Sequence, residues 1–196
     1  MKYLHLAFVI TILTLALTNV SEGRARRKPN ADDRAQIDAP APKDNETCFS
    51  PDEPCDQKLW KFIQSATKSL EIAVYDITHE KIVHEIAVAS KKVKTRVIVD
   101  RRQAKEPRSL VSTLIKAGVE VRYGTQRGIM HDKFTIVDGT RLETGSFNYT
   151  FGASFKNQEN QLYIAEKAIV ERYRQRFESM WEKAKPAKLD VAHAKG

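Results

Sequence analysis

The chain predicts an α/β fold built as one domain. Two observations carry this. Between residues 70 and 123, strand-like and helix-like stretches alternate as β-α-β-α-β, which argues for a sheet with right-handed crossovers. The 196 residues also divide into a leader, a polar stretch and about 140 patterned residues, enough for one packed sheet with helices.

Residues 1–23 read as a secretory signal peptide. Met1-Lys2-Tyr3-Leu4-His5 opens with positive charge, Leu6 to Thr18 is apolar, and Ser21-Glu22-Gly23 offers a small-residue cleavage site. The apolar run falls short of the ~20 residues that span a bilayer. Arg24, Arg26, Arg27 and Lys28 follow directly, where a stop-transfer signal would sit, so an uncleaved anchor is the competing reading. The expectation is a periplasmic or secreted protein, without stable membrane association once the leader is removed. Residues 24–47 are rich in Ala, Pro, Asp, Asn and Arg, lack apolar periodicity and read as a flexible linker. Cys48 and Cys55 bracket a Pro-containing segment. An even cysteine count in an exported chain suggests one disulfide, with two free thiols as the alternative. A zinc site would need further ligands close by in the sequence, and there are none.

The domain proper is expected over 48–185. Leu59, Phe62, Ile63 and Ala66 share one face of a first helix. Residues 70–75 read as a strand, 80–93 as a helix and 95–100 as a strand. Residues 109–117 form a helix stopped by Gly118, and 119–123 the next strand. Two strands follow around the tight-turn signal Asp138-Gly139. A strand over 161–165 comes next, then an amphipathic helix over 168–185 through Ile169, Tyr173, Phe177 and Trp181. Residues 186–196 read as a frayed tail.

The chemistry concentrates around that turn. His131-Asp132-Lys133-Phe134-Thr135-Ile136-Val137-Asp138-Gly139 leads to Glu143-Thr144-Gly145-Ser146-Phe147-Asn148. Side chains two apart on a strand share a face, so His131 and Lys133 should project into one space. The hairpin then returns Ser146 and Asn148, again two apart, towards His131. An unprotonated imidazole can attack phosphorus near neutral pH. The charge of Lys133 and donors from Ser146 and Asn148 can stabilise the negative charge that attack builds. A nucleophilic histidine must be oriented through its other ring nitrogen, and Glu159 is the candidate. The leaving oxygen needs a proton from a second acid. His79-Glu80-Lys81 repeats the His-x-Lys spacing, but Ile86 stands where an aspartate would be and no Gly-Ser-x-Asn follows. It reads as solvated surface on a helix.

These residues resemble the signature of the phospholipase D superfamily, His-x-Lys-(four residues)-Asp followed by Gly-Gly/Ser-x-Asn, and match it at every position. The chain most resembles the short single-motif branch of secreted or periplasmic endonucleases, from roughly Cys48 to Lys185. The resemblance implies a phospholipase D-like mixed β-sheet flanked by helices. It also implies a covalent phosphohistidine, two-step hydrolysis, and no metal or cofactor. Lys133 and Asn148 would bind phosphate, Glu159 would orient His131, and Asp138, with Gly139 and Gly145, would be structural. Larger relatives carry two motifs, one histidine attacking and the other acting as acid. This chain has one, so a homodimer would supply the second His131.

Lys and Arg total 33 against 25 Asp and Glu, a net charge of +8, which favours a polyanion partner. Sites in such sheets gather at strand ends. There Arg101, Arg102 and Arg127 are candidate backbone-phosphate contacts, with solvated loop charge as an equal alternative. Tyr123 and Phe147 are candidates for stacking a base, though core packing is the favoured reading. No helix-turn-helix or RNA-recognition signature is present, so sequence-specific readout is not indicated. The expected function is a metal-independent, low-specificity endonuclease acting on DNA or RNA. The alternatives are a phospholipid phosphodiesterase at a membrane and a non-catalytic nucleic-acid-binding protein.

Overall fold

A computed structural model describes residues 38–124 and 128–189. The signal peptide and most of the linker, Arg127 and the last seven residues of the tail lie outside the described residues. One mixed eight-stranded sheet organises the rest, in the order β1-β7-β6-β5-β2-β3-β4-β8. The strands are β1 (Glu46–Ser50), β2 (Ser69–Val74), β3 (Lys94–Asp100), β4 (Glu120–Gly124), β5 (Lys133–Val137), β6 (Arg141–Gly145), β7 (Glu159–Ile164) and β8 (Lys185–Pro186). The helices are α1 (Cys55–Gln64), α2 (Glu80–Ser90), α3 (Val111–Lys116), α4 (Phe151–Phe155) and α5 (Lys167–Lys183).

The expected crossovers are present: β2 pairs with β3, and β3 with β4, in parallel. The remaining pairings are antiparallel, as the motif hairpin requires. The strands of the parallel set are nearly continuous apolar runs because both faces are covered. On one face Leu70, Ile72, Val74, Val97, Val99 and Val121 pack against α1, α2 and α3. On the other, Ala73, Ile98, Phe134, Ile136 and Leu142 pack against Val170, Phe177 and Trp181 of α5.

Several expectations need correction. The linker does not run to residue 47. Ala39 is buried, its amide donates to Gln57 Oε1 at 3.0 Å, and Arg141 Nη2 donates to Pro42 O at 3.0 Å. Residues 46–50 then form β1, an edge strand whose register is set by β7, with Cys48 opposite Gln161. The tail does not fray at Pro186. Lys185 and Pro186 pair with β4, and Ala187 N donates to Val121 O at 2.9 Å, so the sheet edge at β4 is covered. Helix bounds shift by a few residues: α2 stops at Ser90, α3 starts at Val111 and α5 spans Lys167–Lys183, its N-terminal amide at Ala168 capped by Glu166. Cys48 and Cys55 form the disulfide, with a Cα–Cα distance of 5.6 Å, tying β1 to the start of α1. His79 is not solvated surface: it precedes α2, its side chain is 12% exposed, and Nε2 lies 3.6 Å from the buried Asp56 carboxylate.

Candidate active site

The sheet brings the motif to one edge. β5 runs antiparallel to β2, so its first residue, Lys133, pairs with Val74 at the carboxyl end of β2. β6 runs back beside β5, placing Thr144 opposite Phe134, and Gly145 pairs with Gln161 near the start of β7. The beginning of β5 and β7 and the ends of β2, β3 and β6 therefore meet at this edge. It is the carboxyl edge of the parallel strands, where open α/β sheets place their sites.

The turn is built by two residues in the left-handed region, Asp138 (φ 56°) and Gly139 (φ 65°), as a tight hairpin turn demands. The Asp138 carboxylate accepts from the amides of Thr67, Lys68 and Ser69 and from the Thr67 hydroxyl. Burial pushes its pKa up, but those bonds outweigh burial and hold it below the usual aspartate value. It pins the hairpin to the segment before β2, far from His131 along β5.

His131 lies just before β5 and is exposed. Its ring packs on Tyr75, centroid to centroid 4.7 Å at 59°. Lys133 is 6% exposed, its Nζ donates to His131 O at 2.7 Å and sits 5.3 Å from the centre of the same Tyr75 ring. Burial lowers the Lys133 pKa from the ordinary lysine value, and the carboxylates of Glu159 and Asp132 oppose that shift. The histidine and the ammonium are thus brought together, through Tyr75 and a backbone carbonyl as much as through strand alternation. Sequence reasoning places Tyr75 only at a strand end; its role depends on the non-local pairing of β2 with β5.

Asp100 is a second residue that the sequence marks only as a strand end. Buried at the tip of β3, it accepts from Met130 N at 2.9 Å, fixing the residue before His131. Its other oxygen accepts from the amides of Arg102 and Gln103. Arg101 and Arg102 sit exposed on this loop at the site's edge.

The Gly-Ser-x-Asn segment is fixed by close approach. A Cβ at Gly145 would lie 2.0 Å from Asn160 O. Ser146 N donates to that same oxygen at 3.1 Å, and Asn160 N donates to Ser146 Oγ at 3.1 Å. The Ser146 hydroxyl donates to Glu159, which also accepts from Asn157 Nδ2 at 3.0 Å. Two expectations change here. Ser146 is committed to Glu159 and Asn160 instead of facing free space for a phosphate. Glu159 is held by Ser146 and Asn157, and the expected bond to His131 is absent among the described residues. Asn148 lies two residues on, in a segment stitched to the loop after β2 by Tyr149 N to Asp76 O (3.0 Å) and Thr78 N to Tyr149 O (2.8 Å). Asn148 Oδ1 is buried without a hydrogen-bond partner. Phe147 is fully buried and presents no face to a base, whereas Tyr123 is half-buried against the helical core with its hydroxyl directed to Lys188 O. Among the described residues no group of three His, Cys, Asp or Glu side chains could hold a metal ion.

The chain matches the model of the phospholipase D-like domain described as "Cardiolipin synthase, PLD-like domain" over residues 59–181. That segment holds the whole motif and most of the chain. The chain belongs to the phospholipase D superfamily. Its fold is the phospholipase D fold. It is 36% identical over 134 residues to mitochondrial cardiolipin hydrolase of Xenopus tropicalis, covering 68% of this chain and 64% of that protein. It is 32% identical over 132 residues to phospholipase D of Rickettsia prowazekii, covering 67% of this chain and 64% of that one. The match thus spans under two thirds of these relatives' lengths. Among solved structures, the phospholipase D family member Nuc from Salmonella typhimurium superposes with a TM-score of 0.69 at 26% identity, covering 73% of this chain and 97% of Nuc.

Beneath the phospholipase D motif lies a buried acid. Glu143 is fully buried on β6, opposite Thr135 on β5 and Tyr163 on β7. Burial pushes its pKa up to about 8. The nearby Thr135 hydroxyl pulls slightly the other way, but it is bonded to Tyr149, and neither Glu143 oxygen is hydrogen-bonded. A glutamate in the unfolded chain has the ordinary value of 4.5. The folded state therefore holds a proton that the unfolded state releases, so this contribution is fully present below 4.5 and is lost as pH rises through about 8. Thermal melts are expected to show stability falling across that window, and Glu143→Gln is expected to flatten the slope. An unchanged slope in the variant would contradict a buried neutral acid.

Proposed function

We propose that the protein is an exported, metal-independent endonuclease of low sequence specificity, acting on DNA or RNA in a site completed by a second copy of the chain. The observation that carries this reading is the arrangement of His131 at the site's mouth, packed at a tilt on Tyr75, beside a buried Lys133 at the same sheet edge as Asn148. The net charge of +8 and the near-complete coverage of the compact family member Nuc support a nucleic-acid substrate.

In this mechanism His131 attacks phosphorus, forming an N–P bond as the P–O bond to the leaving nucleoside breaks. The partner's His131 gives that oxygen its proton. It then takes a proton from water, which attacks phosphorus and breaks the N–P bond. Lys133 and Asn148 hold the non-bridging oxygens, with Lys133 already desolvated and so more effective per charge. Tyr75 orients the imidazole by packing. Ser146 and Glu159 act one step back: their mutual bond fixes the end of β6 against β7, and the Glu159 carboxylate favours the charged form of Lys133. Arg101 and Arg102, exposed on the loop after β3, would meet flanking phosphates, which position a strand without reading its sequence.

The second reading is hydrolysis of a phospholipid, favoured by the relatives named cardiolipin hydrolase and phospholipase D. The chain from Arg24 onward, incubated in EDTA with plasmid DNA, RNA, and phosphatidylcholine or cardiolipin vesicles, separates the two. Nucleic-acid cleavage is expected, undiminished by EDTA. Lipid hydrolysis without nucleic-acid cleavage would overturn the substrate while keeping the chemistry. Binding of nucleic acid without any hydrolysis would mark a non-catalytic binder.

A further inference from the structure

Beside His131 lies a cleft of about 430 Å³ whose far wall is α5. Arg176, Met180 and Lys183 line it from that helix. Their spacing of four and then three residues puts them on one helical face. Ile129, an exposed large aliphatic side chain, and the buried Met130 line it from the segment leading to His131. The cleft therefore has an apolar floor and two cations on its rim. Arg176 Nη2 is 3.2 Å from the carboxylate of Asp132, the residue between His131 and Lys133, so its charge is held next to the reacting centre. That pair is solvent-exposed on both sides and leaves much of the guanidinium free to bind. Lys183 Nζ donates to the neutral Ser179 hydroxyl at 3.1 Å and has no carboxylate partner among the described residues.

A single phosphodiester on His131 needs Lys133 and Asn148 and nothing in this cleft. A polynucleotide always brings more: a sugar and base beside the scissile phosphate, and then another phosphate. We propose that the cleft is the subsite for that neighbouring nucleotide, its outer phosphate on Arg176 and Lys183 and its sugar and base against Ile129 and Met180. The assignment rests on the nuclease reading. Phosphatidylcholine has no second phosphate for these cations to meet, and the second phosphate of cardiolipin comes without the sugar and base that Ile129 and Met180 would take. The contacts are to backbone phosphate and to apolar surface, so the subsite selects for chain length and not for sequence.

The test uses the full chain and two substrates: the dinucleotide TpT, with one phosphodiester, and a thymidine pentanucleotide. The wild type is expected to have the higher kcat/KM on the pentanucleotide. Arg176→Ala combined with Lys183→Ala is expected to lower the pentanucleotide-to-dinucleotide ratio of kcat/KM about tenfold, as loss of a charge-assisted phosphate contact would. Both side chains are on the surface of α5, so circular dichroism should report an intact fold. Lys91→Ala combined with Lys92→Ala removes equal charge from an exposed stretch after α2 and is expected to keep the wild-type ratio. An unaltered ratio in the Arg176 and Lys183 variant, or an equal fall in both variants, would overturn the subsite alone. Absence of oligonucleotide cleavage by the wild type would overturn the nuclease reading and the subsite with it.

Discussion

Replacing His131 with alanine is expected to lower phosphodiester hydrolysis by about four orders of magnitude or more while the protein stays folded. The side chain is exposed and its ring packs on Tyr75, so its removal costs about 1 kcal/mol of stability at most. The expected loss is large because, in the proposed dimeric site, the same imidazole serves twice, as nucleophile in one copy and as acid in the other. Steady-state cleavage of plasmid DNA, read beside circular dichroism, checks both halves of the expectation. Retained cleavage by the purified folded variant would remove His131 from the chemistry. Residual activity in a variant that is also unfolded would say nothing against it, which is why the spectrum accompanies the assay.

Gly145→Ala is expected to be the most damaging single methyl group in the site, lowering stability by about 3 kcal/mol or more and activity with it. The added Cβ would sit 2.0 Å from Asn160 O and 2.9 Å from its carbonyl carbon, both backbone atoms of β7. Backbone in a paired strand cannot swing aside as a flexible side chain can. The strands must part, and the bonds that Ser146 makes to Glu159 and Asn160 part with them. Asn148 lies just beyond, so its placement is disturbed as well. Urea melts report the stability loss directly. Gly139→Ala makes a useful contrast: its Cβ would meet the flexible Arg174 side chain at 3.2 Å, and the strain there is the positive φ of 65° instead of a backbone clash.

The reasons why some features were legible in the sequence and others were not are physical. His131 and Lys133 stand at the start of β5, Asp138 in the turn that follows it and Asn148 just beyond β6, so local periodicity and turn chemistry are enough to gather them. The core strands read clearly because burial on both faces leaves long apolar runs. β1 and β8 are short edge strands; each exists because β7 or β4 offers a free edge, and that is not visible locally. Tyr75 and Asp100 belong to the site only because β2 and β3 end beside β5 and the segment before it. The hydroxyl of Ser146 alone suggests a phosphate ligand, but Glu159 and Asn160, thirteen and fourteen residues on, claim both its donor and its acceptor. His79 shows the reverse: a histidine without the motif is held by a buried aspartate from α1.

In the proposed mechanism phosphate passes through a covalent bond to His131. The most direct measurement mixes the protein with an end-labelled oligonucleotide in EDTA, stops the reaction in alkaline detergent, where phosphohistidine survives, and locates the label by peptide mass spectrometry. A labelled peptide containing His131, absent from the His131→Ala variant, is the predicted result. Turnover with no label on the protein, or with the label on another residue, would contradict the account.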